Sequence, residues 1–148
     1  MQRVAVLSMH TSPLAQPGIG DGGGMNVYVR ELVSGLASQG VECTTYTRRW
    51  NDALPQVVEV EPHHRVVHID AGPSDLPKED LLGVVDEFTD GVAWHIGRNG
   101  GTDLVHANYW LSGLAGHRLK HELNLPLVTT FHTFARVKSL GGDVESAV

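Results

Sequence analysis

Residues 3–32 read RVAVLSMHTSPLAQPGIGDGGGMNVYVREL, and this stretch decides the fold. It begins with the β-branched, apolar run Arg3–His10, which is typical of a strand buried on both faces. After a glycine-rich loop, apolar residues recur at helical spacing from Met25 to Gln39, and Gly40 supplies a helix stop. A strand, a glycine loop and an amphipathic helix in this order indicate the first unit of an α/β sheet.

The rest of the chain continues the alternation of strands and helices. Such alternation requires parallel strands with right-handed crossovers, so the sequence predicts an α/β, Rossmann-like, doubly wound and mostly parallel sheet. The longest helix is predicted from Pro77 to Arg98, with a buried stripe at Leu81, Val85, Phe88, Val92 and Ile96. The other predicted elements are strands at 41–47, 103–108 and 126–133, a hairpin of strands at 56–60 and 65–69, and a helix at 110–123.

Length and composition restrict the class of protein. The 148 residues are 41% hydrophobic and 19% charged, which is ordinary for one globular domain. The net charge of −6 disfavours nucleic acid as a partner, and Arg48-Arg49, the densest basic group, is interpreted as a solvated strand end. No apolar run approaches the roughly 18 residues of a membrane span and no secretory signal is recognised, so a cytoplasmic protein is expected. The lone Cys43 is expected to be a buried small hydrophobe.

Polar and aromatic residues follow three of the predicted strands. In open α/β sheets, ligands bind at the carboxyl ends of the parallel strands. The segments that fall there are His10–Asn26, Asn108–Trp110 and His132–Thr133. One such segment is ordinary loop polarity, but three at one edge of the sheet favour a ligand cleft.

The segment from Gly18 to Gly23 satisfies G-x-G-x-x-G, the pattern of dinucleotide-binding loops. Its context disfavours that function, because the first glycine does not follow the strand directly and the second strand ends in YTRRW instead of an acidic residue. The arginines there suit a 2′-phosphate, so an NADP-binding oxidoreductase domain stays as an alternative. Glycines also let the backbone approach other phosphate ligands, and N–H groups that open a helix form an anion site.

The nine histidines do not form a recognisable metal site. His117 and His121 have the spacing of two zinc ligands on a helix, but no third ligand accompanies them. No metal and no cofactor are therefore expected. The remaining histidines within the predicted elements are interpreted structurally, as a hairpin turn (His63-His64) and as satisfied strand residues (His68 and His106).

Four segments together resemble one known family. They are VAVLSMHTSPLAQPGIGDGGGMNVYVREL at 4–32, AGPSDLPKEDL at 71–81, DLVHANYWLSGLAG at 103–116 and PLVTTFHTFARVKS at 126–139. These segments are similar to the N-terminal half of retaining glycosyltransferases of family 4, which have the GT-B architecture of two facing Rossmann-like domains. Sucrose-phosphate-synthase-like members share the glycine loop and the VYVREL helix, so they remain an alternative within the family.

The resemblance implies that residues 1–148 are the acceptor-side domain of a two-domain enzyme whose donor-binding C-terminal domain is absent from this chain. Such an enzyme transfers a sugar from a nucleotide-sugar donor, UDP-N-acetylglucosamine-like, to a phosphorylated polyol or sugar, inositol 3-phosphate-like. His132 is the candidate catalytic residue because it lies at the end of a predicted strand on the ligand edge, as His10 does. The resemblance implies donor contacts at Gln16, Pro17 and Gly24. It implies acceptor contacts, with Lys78, Tyr109 and Thr133 chiefly on the phosphate, at His10, Asp21, Gly22, Gly23, Gly24, Met25, Asn26, Lys78, Tyr109 and Thr133.

Two further expectations follow for the isolated chain. Because the donor is held between two domains in this family, the 148 residues alone are expected to be nearly inactive. A non-catalytic module is the other alternative, in which an exposed cleft lined by Met25, Tyr109 and Trp110 makes the chain a homo-oligomer.

Overall fold

The computed structural model describes residues 2–15 and 23–132. They form a six-stranded sheet with helices on both faces. In chain order the elements are β1 (Arg3–Leu7), α1 (Gly24–Ser38), β2 (Glu42–Arg48), β3 (Val57–Glu61), β4 (His64–Ile69), a 3₁₀ helix (Lys78–Val84), α2 (Val85–Arg98), β5 (Leu104–Asn108), α3 (Trp110–Leu123) and β6 (Leu127–Thr130).

The strands are arranged across the sheet in the order β3-β4-β2-β1-β5-β6. β1 lies near the centre, parallel to β2 and β5, and β4 and β6 extend the parallel pairing outward. At one margin β3 runs antiparallel to β4, as the predicted hairpin requires. The mostly parallel α/β sheet expected from the sequence is confirmed.

Helices cover both faces, so the doubly wound arrangement is confirmed as well. Successive residues of a strand point to opposite faces. Val6 of β1 accordingly packs in one cluster with Val29 and Val33 of α1. Its neighbour Leu7 belongs to the larger core on the other face, beneath α2 and α3, together with Phe88.

The helix predicted from Pro77 to Arg98 consists of two elements. Residues 78–84 form the 3₁₀ helix, and α2 begins at Val85. Gly83 lies next to this junction, and its low helix propensity, about 1 kcal/mol below that of alanine, weakens a continuous α-helix there. The predicted buried stripe is confirmed, because the structure buries Leu81, Val85, Phe88, Val92 and Ile96.

Cys43 lies in β2 and is buried, as expected. Burial raises the pKa of its thiol to about 11, so the sulfur stays protonated at neutral pH. A protonated, enclosed thiol is a packing group and not a nucleophile. Within residues 2–15 and 23–132, no helix combines the length and apolar character needed to cross a bilayer.

Candidate functional site at the carboxyl edge of the sheet

The carboxyl ends of β1, β5 and β6 meet at one edge of the sheet, as the parallel topology predicts. β1 ends at Leu7, earlier than the predicted His10, so the residues that follow are free to turn over the edge. Backbone hydrogen bonds join the segments there: the Tyr109 N–H donates to the Thr130 carbonyl at 3.1 Å, and the Arg48 N–H donates to the Met9 carbonyl at 3.1 Å. The edge is therefore one connected rim.

His10 and Tyr109 form the centre of this rim. Their ring centroids are 4.1 Å apart with the planes inclined by 31°, so the two rings stack. Tyr109 has φ 76° and ψ 159°, a backbone conformation that is almost exclusive to glycine. It immediately precedes α3, and its carbonyl accepts from the Gly113 N–H at 2.9 Å. The backbone therefore places the phenol ring at the rim at a cost in strain, a pattern that is characteristic of functional sites.

Lys78 lies in the same groove as Tyr109. The groove is lined by Lys78, Glu79, Leu82, Tyr109, Trp110 and Leu111. Lys78 is the first residue of the 3₁₀ helix, and Tyr109 immediately precedes α3. The fold thus brings together two residues that are 31 positions apart in the sequence. Two of the residues that the resemblance assigns to the acceptor phosphate thus share one groove.

The loop that leads to Lys78 is held by Arg48, and this overturns one prediction. Arg48 was expected to be a solvated strand end, but it is only 6% exposed. Its guanidinium donates to the carbonyl oxygens of Ala71 (3.1 Å), Pro73 (2.8 Å) and Ser74 (3.1 Å). Arginine reaches several carbonyls because its five N–H groups form a planar fork. Burial lowers the pKa of this side chain.

Arg49 differs from its neighbour but is also engaged. It pairs with Asp70 at 2.9 Å and donates to the Leu54 carbonyl at 2.9 Å. Both arginines of the YTRRW stretch are thus used in holding loops. The 2′-phosphate contact on which the NADP alternative depended has no support in their geometry.

The start of α1 presents the second half of the candidate acceptor site. Gly23 precedes the helix in an extended conformation, and a Cβ added at Gly23 or Gly24 would meet no atom of the described residues within 4 Å. Met25 packs partly buried against both core clusters. Asn26 is 2% exposed, and neither polar atom of its amide has a hydrogen-bond partner among the described residues. A buried amide without a partner is costly, so Asn26 is suited to a ligand or to the glycine loop.

His132 follows β6 at the same edge. Its Nε2 lies 3.3 Å from Oδ1 of Asn108, and the ring of Tyr28 packs edge-on against it with centroids 5.1 Å apart. Burial lowers the pKa of His132, which favours the neutral imidazole at pH 7. Tyr28 and Asn108 occur in segments that carry the family resemblance, but the sequence does not predict their contacts with His132, because only the fold brings the three residues together.

Other residues predicted to bind donor or acceptor lie outside the described part of the chain. These are Gln16, Pro17, Asp21, Gly22 and Thr133. One expectation at the described rim is wrong: the cleft lined by Met25, Tyr109 and Trp110 is not openly exposed, since Tyr109 is 6% exposed and the other two are half-buried. Stacking on His10 and packing between the cores explain this burial.

The described residues contain no group of three or more His, Cys, Asp or Glu side chains that could hold a metal ion. The rings of His117 and His121 instead contact each other edge-on, with centroids 4.7 Å apart. His68 Nδ1 donates to the Pro55 carbonyl at 2.7 Å, and His106 Nε2 lies 2.8 Å from Thr130 Oγ1. These two are satisfied strand histidines, as the sequence indicates. His63 lies in the hairpin turn with φ 67°, whereas His64 already belongs to β4.

A doubly wound, mostly parallel sheet with its polar rim at the carboxyl edge defines a Rossmann-like ligand-binding α/β domain. The profile of one family, Glycosyltransferase Family 4, matches residues 22–145. The chain belongs to Glycosyltransferase Family 4, and the family resemblance seen in the sequence is confirmed.

Two similar curated proteins have the same name. A D-inositol 3-phosphate glycosyltransferase of Xylanimonas cellulosilytica is 51% identical over 148 aligned residues, which cover 96% of this chain and 36% of the relative. A D-inositol 3-phosphate glycosyltransferase of Streptomyces coelicolor is 50% identical over 141 residues, covering 93% of this chain and 31% of the relative. The chain thus spans about a third of the length of the curated relatives it matches.

Solved structures show the same fold. Sucrose-phosphate synthase from Thermosynechococcus elongatus superposes with a TM-score of 0.87 at 34% identity, over 93% of this chain and 35% of that chain. Os79 from O. sativa, in complex with UDP, superposes with a TM-score of 0.55 at 16% identity, over 95% of this chain and 31% of that chain. The second likeness is at the level of the fold alone.

Proposed function

We propose that this chain is the acceptor-side N-terminal domain of a retaining GT-B glycosyltransferase. The donor is a nucleotide sugar of the UDP-N-acetylglucosamine type, and the acceptor is a phosphorylated polyol of the inositol 3-phosphate type. The donor-binding domain belongs to a C-terminal half that this chain does not contain. The names of the relatives support this reading, as does the share of their length that the chain spans.

The observation that carries the proposal is the groove shared by Lys78 and Tyr109. A phosphate dianion is well held by the point charge of a lysine together with hydroxyl and N–H donors. Lys78 supplies the charge, the Tyr109 phenol supplies a hydroxyl, and His10 stacks on that phenol. Glu79 also lines the groove, so the acceptor phosphate is expected next to Lys78 and away from that carboxylate.

The start of α1 completes the acceptor side of the proposal. Gly23, Gly24 and Met25 begin α1 at its N-terminus, where backbone N–H groups favour an anion or a polyol hydroxyl. The buried amide of Asn26, which has no hydrogen-bond partner among residues 2–15 and 23–132, is a further candidate contact. Asp21, Gly22 and Thr133 are proposed as further acceptor contacts, and Gln16, Pro17 and Gly24 as donor contacts.

In this proposal the protein catalyses transfer by positioning and by electrostatic stabilisation. The bond between the sugar C1 and the diphosphate oxygen breaks, and a bond from C1 to an acceptor hydroxyl oxygen forms on the same face of the sugar. The hydroxyl proton passes to the departing diphosphate, so no protein nucleophile is required. Among the described residues, His132 is the candidate to contact the reacting sugar.

Acceptor binding to the full-length protein that contains this chain tests the proposal. With UDP present, calorimetric titration of inositol 3-phosphate is expected to show an affinity loss of roughly 10-fold to 100-fold in Lys78→Ala, because a charged hydrogen bond contributes about 1.5–3 kcal/mol. Lys78→Arg keeps the charge with a different geometry and is expected to bind with intermediate affinity.

Lys120→Ala is the matched control, since Lys120 is an exposed lysine in the last turn of α3, outside the groove. It is expected to bind inositol 3-phosphate like the parent protein. Equal affinity in Lys78→Ala and Lys120→Ala would remove Lys78 from the acceptor site.

A phosphorylated sugar is the second candidate acceptor. The structural likeness to sucrose-phosphate synthase, at a TM-score of 0.87, favours it. Titration of a hexose phosphate in place of inositol 3-phosphate distinguishes the two, because the same lysine would hold either phosphate while the polyol contacts differ. Tighter binding of the hexose phosphate would select this second acceptor class.

A further inference from the structure

Asn108 ends β5, the strand that lies between β1 and β6. Its side chain is fully buried, and its two amide atoms face different neighbours. Nδ2 lies 3.5 Å from the carbonyl oxygen of Leu7, the last residue of β1. Oδ1 lies 3.3 Å from Nε2 of His132, which follows β6. One amide therefore connects the strands on both sides of β5.

The chemistry of these contacts fixes the orientation of the amide. The carbonyl of Leu7 can only accept a hydrogen bond, so the atom of Asn108 that faces it must be the nitrogen. The atom that faces His132 is then Oδ1, which also can only accept. Nε2 of His132 must therefore carry a hydrogen, and in the neutral ring Nδ1 keeps its lone pair.

Burial lowers the pKa of His132 and favours that neutral form. Tyr28 from α1 packs edge-on against it, Asn108 from β5 offers an uncharged amide, and His106 from β5 is a titratable neighbour. The pKa of His106 is lowered by burial and by the nearby charge of His132. Two imidazoles so placed do not both carry a charge at neutral pH.

We propose that Asn108 is a positioning residue that fixes the imidazole of His132 in one orientation and in the Nε2–H tautomer. Nδ1 is then a hydrogen-bond acceptor. It suits a hydroxyl group of a bound sugar and does not suit a phosphate dianion, whose oxygens offer no hydrogen. The assignment to a sugar hydroxyl rests on the proposed function. It separates two tasks at the rim, because Lys78 recognises the phosphate and His132 recognises a hydroxyl.

Long-range ¹H–¹⁵N NMR spectra of the chain, labelled at the histidine nitrogens, report the tautomer directly. His132→Gln assigns the signals. At pH 7.5 the unsubstituted chain is expected to show the Nε2–H form of His132. In Asn108→Leu, which has a similar shape but no amide, the preference is expected to be lost. Asn99→Leu makes the same change at an exposed position beyond the opposite edge of the sheet and is expected to leave these signals in place.

Two results of these spectra would overturn the proposal. One is an Nδ1–H tautomer of His132 in the unsubstituted chain. The other is a His132 spectrum that is the same in Asn108→Leu as in the unsubstituted chain.

Asn108→Asp provides the second variant, for the case in which the leucine variant does not fold. A carboxylate accepts the same hydrogen bond and adds a negative charge that stabilises the imidazolium, so the pKa of His132 is expected to rise by about one unit or more. An unchanged His132 titration in Asn108→Asp would contradict the contact. These spectra require no ligand. Their failure is therefore distinct from a failure of the Lys78 binding test, which bears on the proposed function.

Discussion

Tyr109 shows at the scale of one residue what the candidate site demands of the chain. Its φ of 76° and ψ of 159° lie where a Cβ atom is strongly disfavoured, at a cost of about 1–3 kcal/mol. The buried phenol stacks on His10 and lines the groove of Lys78. The contacts of the Tyr109 side chain at the rim therefore hold the backbone in this strained conformation.

The strain at Tyr109 predicts an unusual order of stability. Both Tyr109→Gly and Tyr109→Ala lose the ring, but only the alanine variant keeps a strained Cβ. We expect the glycine variant to be more stable than the alanine variant by roughly 1 kcal/mol or more, measured by urea unfolding. At Leu119, inside α3, the same pair is expected to show the reverse order by about 1 kcal/mol. A Tyr109→Gly variant no more stable than Tyr109→Ala would mean that the backbone is not strained.

Some of these site residues could be predicted from the sequence and others could not, for physical reasons. His10, Lys78 and Tyr109 occur in segments with a family likeness, so the sequence predicts them as site residues. The positive φ of Tyr109 and the burial of Arg48 have no local signature, because both depend on contacts with chain segments far away in the sequence.

At the scale of elements, close packing decides what the helices tolerate. α2 approaches β4 so closely that a Cβ added at Gly91 would lie 2.5 Å from Cγ2 of Ile69. α3 approaches the sheet likewise at Gly116, where an added Cβ would lie 2.8 Å from Cδ1 of Leu127. The sequence predicted both helices, and for the one at 77–98 it also predicted the buried face. It gave no helix-to-sheet distances, since those depend on which side chains meet.

Two glycines of α2 provide a matched test of this packing. Glycine to alanine inside a helix normally stabilises by up to about 1 kcal/mol. Gly97→Ala is expected to do so, because an added Cβ there meets no atom of residues 2–15 and 23–132 within 4 Å. Gly91→Ala is expected to destabilise by about 1–3 kcal/mol, because Ile69 or the helix must move. The two predictions are tested by the thermal unfolding midpoints of both variants. A Gly91→Ala variant more stable than the parent chain would show that α2 moves away from the sheet easily.

At the scale of the whole molecule, buried histidines link stability to pH. Burial lowers the pKa of four described histidines: His64, His95, His106 and His132. The folded chain therefore binds fewer protons than the unfolded chain once the pH falls below about 6.5, the ordinary histidine value. Stability contributed by these groups is fully present above that pH and is lost as the pH falls toward their folded pKa values.

We therefore expect the urea midpoint of the chain to fall between pH 7.5 and pH 5.5. His95→Gln is expected to reduce this fall, because the amide can still hydrogen-bond to the Tyr46 hydroxyl, now 2.9 Å from His95 Nδ1, but does not titrate. His121→Gln, at an exposed position on α3, is the control and is expected to leave the fall unchanged. Equal midpoints at the two pH values would contradict the linkage.

The topology of the sheet was more predictable from the sequence than the arrangement of the rim at its carboxyl edge. Apolar strands alternating with amphipathic helices leave few topologies, so the parallel sheet followed from pattern alone. Whether particular loops meet above that sheet depends on long-range contacts such as the hydrogen bond from Tyr109 to Thr130. No local pattern contains such contacts.

The hydrogen bonds from Arg48 to the loop before Lys78 have a consequence for how the sequence of this loop can diverge. The guanidinium donates to main-chain oxygens of Ala71, Pro73 and Ser74, and these hydrogen bonds do not depend on which side chains the three positions carry. The side chains at the exposed Pro73 and the half-buried Ser74 can therefore change without removing the hydrogen bonds that attach the loop. Related sequences can therefore differ at these two surface positions while the attachment of the loop to the sheet is retained.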